Sequence, residues 1–143
     1  MNAQSNLGGL LGKSSRLLAN AFNNDLNKHA LTIAQWTLLA LLWDRDHQSQ
    51  KEIQDELLKD KASVTSLVSY LIKNGFISKK QNSNDKRSFI VSLTQKGKDV
   101  QSKTIPIAIK NITTATQDIS PEALATTTKV LTQIITNLTQ ENL

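Results

Sequence analysis

Apolar residues recur at helical spacing through Leu7, Leu10, Leu11, Leu17, Leu18, Ala21, Phe22 and Leu26. This pattern predicts a long amphipathic first helix from about Ser5 to Lys28. Thr32 is a good N-cap for a second, mostly buried helix carrying Trp36, Leu38, Leu39, Leu41, Leu42 and Trp43. The polar DRDHQ segment then breaks the pattern. Ser49 caps a third helix, with Glu52 three residues on as a capping box requires, and Ile53, Leu57 and Leu58 facing the core. Asp60 caps a fourth helix, Lys61 to Asn74, and Gly75 supplies the left-handed position that ends it.

Past that glycine the period changes. Phe76 to Lys80 and Ser88 to Leu93 have the β-branched and aromatic content of strands, with Asn82-Ser83-Asn84-Asp85 as turn chemistry between them. Thr94 caps a fifth helix through Val100, Ile105, Ile109 and Ile112, and Pro106 inside it should bend it. Ser120-Pro121-Glu122 opens a last helix with Leu124, Leu131, Ile134, Ile135 and Leu138 on one stripe. The expected fold is mostly α with a small β-hairpin wing: a winged helix-turn-helix core flanked by N- and C-terminal dimerisation helices.

In the fourth helix Val64, Leu67, Val68, Leu71 and Ile72 form the inward face. Lys61, Ser63, Thr65, Ser66, Ser69, Tyr70 and Lys73 then face outward. Hydroxyls on a groove-facing helix donate to phosphates or base edges, and a thymine methyl can pack on Thr65. In the hairpin, Lys79, Lys80, Lys86 and Arg87 can neutralise phosphates, and Arg87 can enter a narrow minor groove. Asp85 has two readings: it holds the Arg87 guanidinium in a fixed fork, or it shapes the loop as an Asx-turn.

Composition sharpens this picture. The 143 residues carry a formal net charge of +5, and only one of the charged residues from Lys73 to Lys98, Asp85, is acidic. The basic excess therefore sits on the hairpin rather than being spread over the surface. The absence of cysteine removes disulfides, thiolate nucleophiles, thiol redox sensing and Cys-ligated zinc. Asp25 with His29, and His47 with Asp44 and Asp46, fit capping or solvated roles better than a ligand set, so neither a metal nor another cofactor is expected. Gly8-Gly9 with Gly12 follows no strand and is not a phosphate loop, and no catalytic constellation stands out. The apolar run Trp36 to Trp43 is too short to cross a bilayer, and no signal-peptide pattern opens the chain. A cytoplasmic non-enzyme with no membrane partner is expected.

The run GFISKKQNSNDKRSFIVSLTQKGKDV resembles the wing of the MarR family of winged-helix transcriptional regulators. That wing carries an acidic residue, any residue, then arginine, followed by a strand ending Leu-Thr-x-x-Gly. Here these are Asp85-Lys86-Arg87 and Leu93-Thr94-Gln95-Lys96-Gly97, and KASVTSLVSYLIKNGFI is similar to the family's recognition helix. The resemblance implies a single chain over 1–143, with a DNA-binding lobe at about 32–98 and dimerisation helices at about 5–30 and 99–142. It implies a homodimeric, sequence-specific regulator, most often a repressor, on a palindromic operator of double-stranded DNA, released by a small aromatic or phenolic effector. Arg16, His29, Trp36 and Trp43 are the residues expected near the effector cleft. Family members often carry arginines on the recognition helix where this chain has Ser66 and Tyr70, so hydroxyls, water or DNA shape carry more of the readout. The rival readings are a winged-helix protein-interaction module and a non-specific architectural DNA-binding protein.

The apolar stripes of the terminal helices themselves argue for pairing with a second copy. Deleting the helix after Ser120 is expected to yield monomers or aggregates with poor DNA binding. A soluble truncated dimer of full affinity would contradict that role.

Overall fold

A computed structural model describes residues 2–140. Helix α1 (Ala3–Leu26) runs into a 3-10 turn, Asn27–His29, so the helical hydrogen bonding tightens where one continuous helix to Lys28 was expected. Helices α2 (Ile33–Asp44), α3 (Gln50–Leu57) and α4 (Lys61–Lys73) follow, with a two-residue strand, β1 (Gln48–Ser49), between α2 and α3. The hairpin is β2 (Ile77–Asn82) and β3 (Asp85–Leu93), and α5 (Gln95–Ala115) and α6 (Pro121–Gln140) complete the chain. The expected dimerisation span to 142 reaches into 141–143, which lie outside the described residues.

Capping chemistry sets most of these boundaries. Thr32 Oγ1 accepts from the Gln35 N–H at 3.3 Å while Gln35 Oε1 accepts from the Thr32 N–H at 2.9 Å, a complete capping box. Ser49 caps α3 through the Glu52 N–H at 3.1 Å, but the return half of the box differs. Glu52 takes a hydrogen bond from the Ser49 hydroxyl at 3.3 Å and one from Arg45 at 2.6 Å. The Arg45 contact holds the Glu52 carboxyl below its ordinary range. Leu58, expected to face the core, instead ends α3 with φ 53° and is 62% exposed. It occupies the left-handed position that closes a helix, and this turns its side chain out of the stripe.

The sheet order is β1-β3-β2, all antiparallel, with Gln48 opposite Val91 and Lys79 opposite Val91 across the other edge of β3. The β1 edge was hidden in the sequence because two polar residues carry no periodicity. Gln48 is 2% exposed, and its amide donates to the carbonyls of Leu41 and Arg45, closing the end of α2.

The core joins α1, α2, α3, α4 and the hairpin through Leu26, Leu38, Leu39, Leu42, Ile53, Val64, Leu71, Phe76, Ile77 and Val91, each no more than 2% exposed. Burial of each such side chain contributes about 1.5–3 kcal/mol. Two indoles fasten α2 to α5. Trp36 Nε1 donates to Thr104 Oγ1 and Trp43 Nε1 to the Gly97 carbonyl, both at 2.8 Å. By contrast α6 holds no buried residue, and Val130, Leu131, Ile135 and Leu138 are exposed on it. Leu7, Leu10 and Leu17 on α1 and Ile109 and Ile112 on α5 are exposed as well. Among the described residues no helix is long and apolar enough to cross a membrane.

Gly97 is the glycine of the Leu-Thr-x-x-Gly run, and its reason is steric. A Cβ there would overlap the Phe76 carbonyl oxygen and crowd Leu93 at 3.1 Å. Gly97→Ala is expected to lower stability by about 1–3 kcal/mol, as extra volume in a packed site does. A reduced urea midpoint with an unchanged slope would show this, whereas a wild-type midpoint would contradict it.

Candidate nucleic-acid interface

Helix α4 is held at both ends. The Asp60 carboxylate accepts from the Ser63 N–H at 2.7 Å, and this bond, with the Ser63 side chain, holds its pKa below the ordinary value. At the other end Gly75 has φ 79°, the Gly75 N–H reaches the Ile72 carbonyl at 3.0 Å and the Phe76 N–H reaches that of Leu71 at 2.9 Å. These bonds satisfy carbonyls that the helix end would otherwise leave open. Val64, Val68 and Leu71 are buried, Leu67 and Ile72 half-buried, so the inward face is as the periodicity implies.

On the other face Lys61, Ser63, Thr65, Ser66, Ser69 and Lys73 are exposed. Tyr70 departs from them. It is half-buried, and its hydroxyl donates to the Ala30 carbonyl at 2.6 Å, tying α4 to the link between α1 and α2. An aromatic ring with one polar tip gains by lying along apolar surface, which helical spacing alone does not reveal.

The hairpin turns through two residues, Ser83 and Asn84, because Asn82 pairs with Asp85 across it. Asn82 Oδ1 accepts from the Asn84 N–H at 3.0 Å, fixing the turn. Asp85 Oδ1 accepts from the Arg87 N–H at 3.0 Å and lies 3.7 Å from Arg87 Nε. Asp85 therefore shapes the loop, as one reading had it, and makes a single long ionic contact with the guanidinium in place of the fixed fork of the other. The Arg87 side chain is still 95% exposed.

Strand alternation separates the hairpin cations. Lys79 and Phe89 share one face and Lys80 lies on the other, while the register shifts between Gln81 and Asn82 and Arg87 joins Lys79 and Phe89 in lining one concavity. Lys79 Nζ stands 4.7 Å over the Phe89 ring, which steadies a flexible ammonium beside Arg87.

The first face closes on α4. A concavity of about 460 Å³ is lined by Lys61 and Thr65 of α4, Lys79, Arg87, Ser88 and Phe89 of the hairpin, and Gln50, Lys51 and Gln54 of α3. The α3 residues and Phe89 were not anticipated. Gln50 and Gln54 lie one helical turn apart on the polar side of α3, which was the available signal. Lys51 is paired with Asp55 at 2.9 Å. The site is thus a cationic trough with a helix as one wall and a two-stranded finger as the other.

The expected effector residues do not converge. Trp36 and Trp43 stack edge-on at 5.7 Å and are anchored to α5, while Phe22 lies 5.0 Å from Trp36. Arg16 is exposed on α1. His29 lines a separate cleft with Lys28, Phe76, Lys96 and Lys103. A largely apolar cavity of about 320 Å³ lies between α1, α2 and α5, lined by Leu18, Phe22, Ile33, Ala108, Ile109, Asn111 and Ile112. Asp25 accepts from Asn111 Nδ2 at 3.0 Å, His47 Nδ1 meets Ser92 Oγ at 2.7 Å, and Asp46 accepts from the Leu93 N–H at 2.9 Å.

Comparison with known proteins agrees with this geometry. The model of the MarR family matches residues 31–89. The uncharacterized HTH-type transcriptional regulator YkoM of Bacillus subtilis is 32% identical over 114 residues, covering 75% of this chain and 74% of that protein. The organic hydroperoxide resistance transcriptional regulator of the same organism is 29% identical over 107 residues, covering 75% and 73%. Among solved structures, a MarR protein from Peptoclostridium difficile matches with a TM-score of 0.90 at 26% identity, over 95% of this chain and 89% of that one. A mutant MarR from E. coli, solved in complex with operator DNA, shares the fold with a TM-score of 0.84 at 22% identity, over 90% and 92%. The capped helix pair, the Asp85–Arg87 wing and these likenesses together place the chain in the MarR family of DNA-binding transcriptional regulators.

Proposed function

We propose that this regulator is a cytoplasmic, homodimeric, ligand-responsive repressor, and not an enzyme, that binds a palindromic operator with α4 in the major groove and the hairpin tip on the minor groove. The observation that carries the reading is the trough in which Lys61, Thr65, Lys79 and Arg87 meet. Cations on two walls suit the phosphates on either side of a groove, and the exposed face of α4 is narrow enough to enter it. That the E. coli relative was solved with operator DNA supports a DNA duplex as the partner. The exposed apolar residues of α1, α5 and α6 support pairing with a second copy, since an isolated monomer rarely leaves such stripes in water. The cavity of about 320 Å³ between α1, α2 and α5 suits an aromatic or phenolic effector, for it offers apolar walls beside the element that joins the two lobes.

The other proposed contacts divide by position. Ser66, Ser69 and Lys73 continue along α4, while Lys80 and Lys86, which do not line the trough, serve phosphates outside it. Ser63 acts chiefly through the cap, and Tyr70 holds the angle of α4 rather than a base.

Fluorescence-anisotropy titration against the duplex upstream of the regulator's own gene and against a scrambled duplex is the test. Preference for the upstream duplex is expected. Equal affinity would favour an architectural role, and binding to neither a protein partner. Arg87→Ala is expected to weaken operator binding by about tenfold or more, the loss typical of a hydrogen bond to a charged group, with an unchanged dimer by light scattering. Wild-type affinity in that variant would refute the role of the wing.

A further inference from the structure

Helix α3 makes a polar contact with α4 on the floor of the trough. Gln50 Nε2 donates to Thr65 Oγ1 at 2.8 Å, and Thr65 Oγ1 in turn donates to the Lys61 carbonyl at 2.7 Å. A threonine hydroxyl has one proton and two lone pairs. Here the proton and one lone pair are already used within the protein, so the side chain is held from both sides. Thr65 is nevertheless exposed and lines the trough. It has no proton left to donate, so towards a base it offers its methyl, Cγ2, and a single lone pair. Ser66 and Ser69 differ, for among the described residues their hydroxyls have no hydrogen-bond partner. Hydroxyl chemistry and methyl chemistry are therefore divided between positions on the same helix face.

In the major groove thymine alone presents a C5-methyl group, and a threonine methyl is one of the apolar groups that contact it. We propose that Thr65 is a specificity-determining residue that reads a thymine C5-methyl through its own methyl, with Gln50 as the positioning residue that fixes its rotamer. The inference rests on the trough being a major-groove interface. Reading by the hydroxyl as a donor would require breaking the bond to the Lys61 carbonyl, leaving that carbonyl to find a new partner. The remaining lone pair can meet only a base amino group, which the replacement of thymine by deoxyuridine leaves untouched.

The test uses the full chain and the duplex it selects from a randomised pool. Each thymine of that duplex is replaced singly by deoxyuridine, which removes only the methyl, and Kd is measured by anisotropy for wild type, Thr65→Ser and Gln50→Ala. Wild type is expected to show a thymine whose replacement weakens binding about fourfold, the order for one methyl taken out of water. In Thr65→Ser, which keeps the hydroxyl and its bonds, that sensitivity should vanish, and in Gln50→Ala it should shrink. Undiminished sensitivity in Thr65→Ser, or none at any thymine in wild type, would overturn the assignment while leaving sequence-specific regulation intact. An unchanged ratio in Gln50→Ala would remove Gln50 from it. If the pool yields no preferred duplex, the reading as a specific regulator fails and this inference falls with it.

Discussion

Where α5 crosses the root of the hairpin, two backbones come so close that no side chain fits between them, and the arrangement of the trough depends on that crossing. The Phe76 carbonyl accepts from the Thr94 N–H at 3.0 Å and lies directly against Gly97. Around it, Thr94 Oγ1 donates to the Gly75 carbonyl at 2.5 Å and Lys96 Nζ to that of Asn74 at 2.7 Å. Trp43 Nε1 donates to the Gly97 carbonyl from the α2 side at 2.8 Å. The end of α4, the start of β2, the start of α5 and the end of α2 thus share one polar knot on a packed core. The neutral hydrogen bonds among these each contribute only about 1 kcal/mol and the one from the Lys96 ammonium about 1.5–3 kcal/mol before solvent exposure is allowed for, but several in one place fix an angle. That angle sets the separation between α4 and the hairpin tip.

The electrostatic design follows from the same constraint. The cations that line the trough come from different elements. Lys61 stands at the start of α4, Lys79 over an aromatic ring and Arg87 beside a carboxylate. Lys79 and Arg87 each have a local partner that leaves the site cationic. Asp85 is the clearest case, for one carboxylate oxygen both closes the turn and lies beside the guanidinium. Under the proposed binding mode, contacts of this kind lower the ordering cost of binding.

Much of this was legible in the sequence, for identifiable reasons. Caps at Thr32, Ser49, Asp60 and Thr94 marked helix starts because hydroxyl and carboxylate side chains satisfy orphan N–H groups. Gly75 marked the end of α4 because only a glycine takes φ 79° at no steric cost. The hairpin was visible by its change of period. What stayed hidden depends on tertiary position. The pairing of Gln48 with β3, the outward turn of Leu58 and the anchoring of Tyr70 on Ala30 each involve a partner distant in sequence or a local φ. The tryptophans drew attention as possible ligand platforms, yet their N–H groups serve α5, while the apolar cavity is walled largely by aliphatic residues that look like ordinary core. The contribution of α3 to the trough was missed because glutamines on a solvated helix face carry no signal until α4 is laid beside them.

The central claim is that the α4–hairpin trough engages a duplex through charge on both walls. The salt dependence of the association constant tests it most directly. The account predicts a linear, steep fall of log K with log salt, with a slope made shallower by about one when Lys79 is replaced by alanine. Binding that is insensitive to salt, or a slope untouched by that replacement, would contradict it.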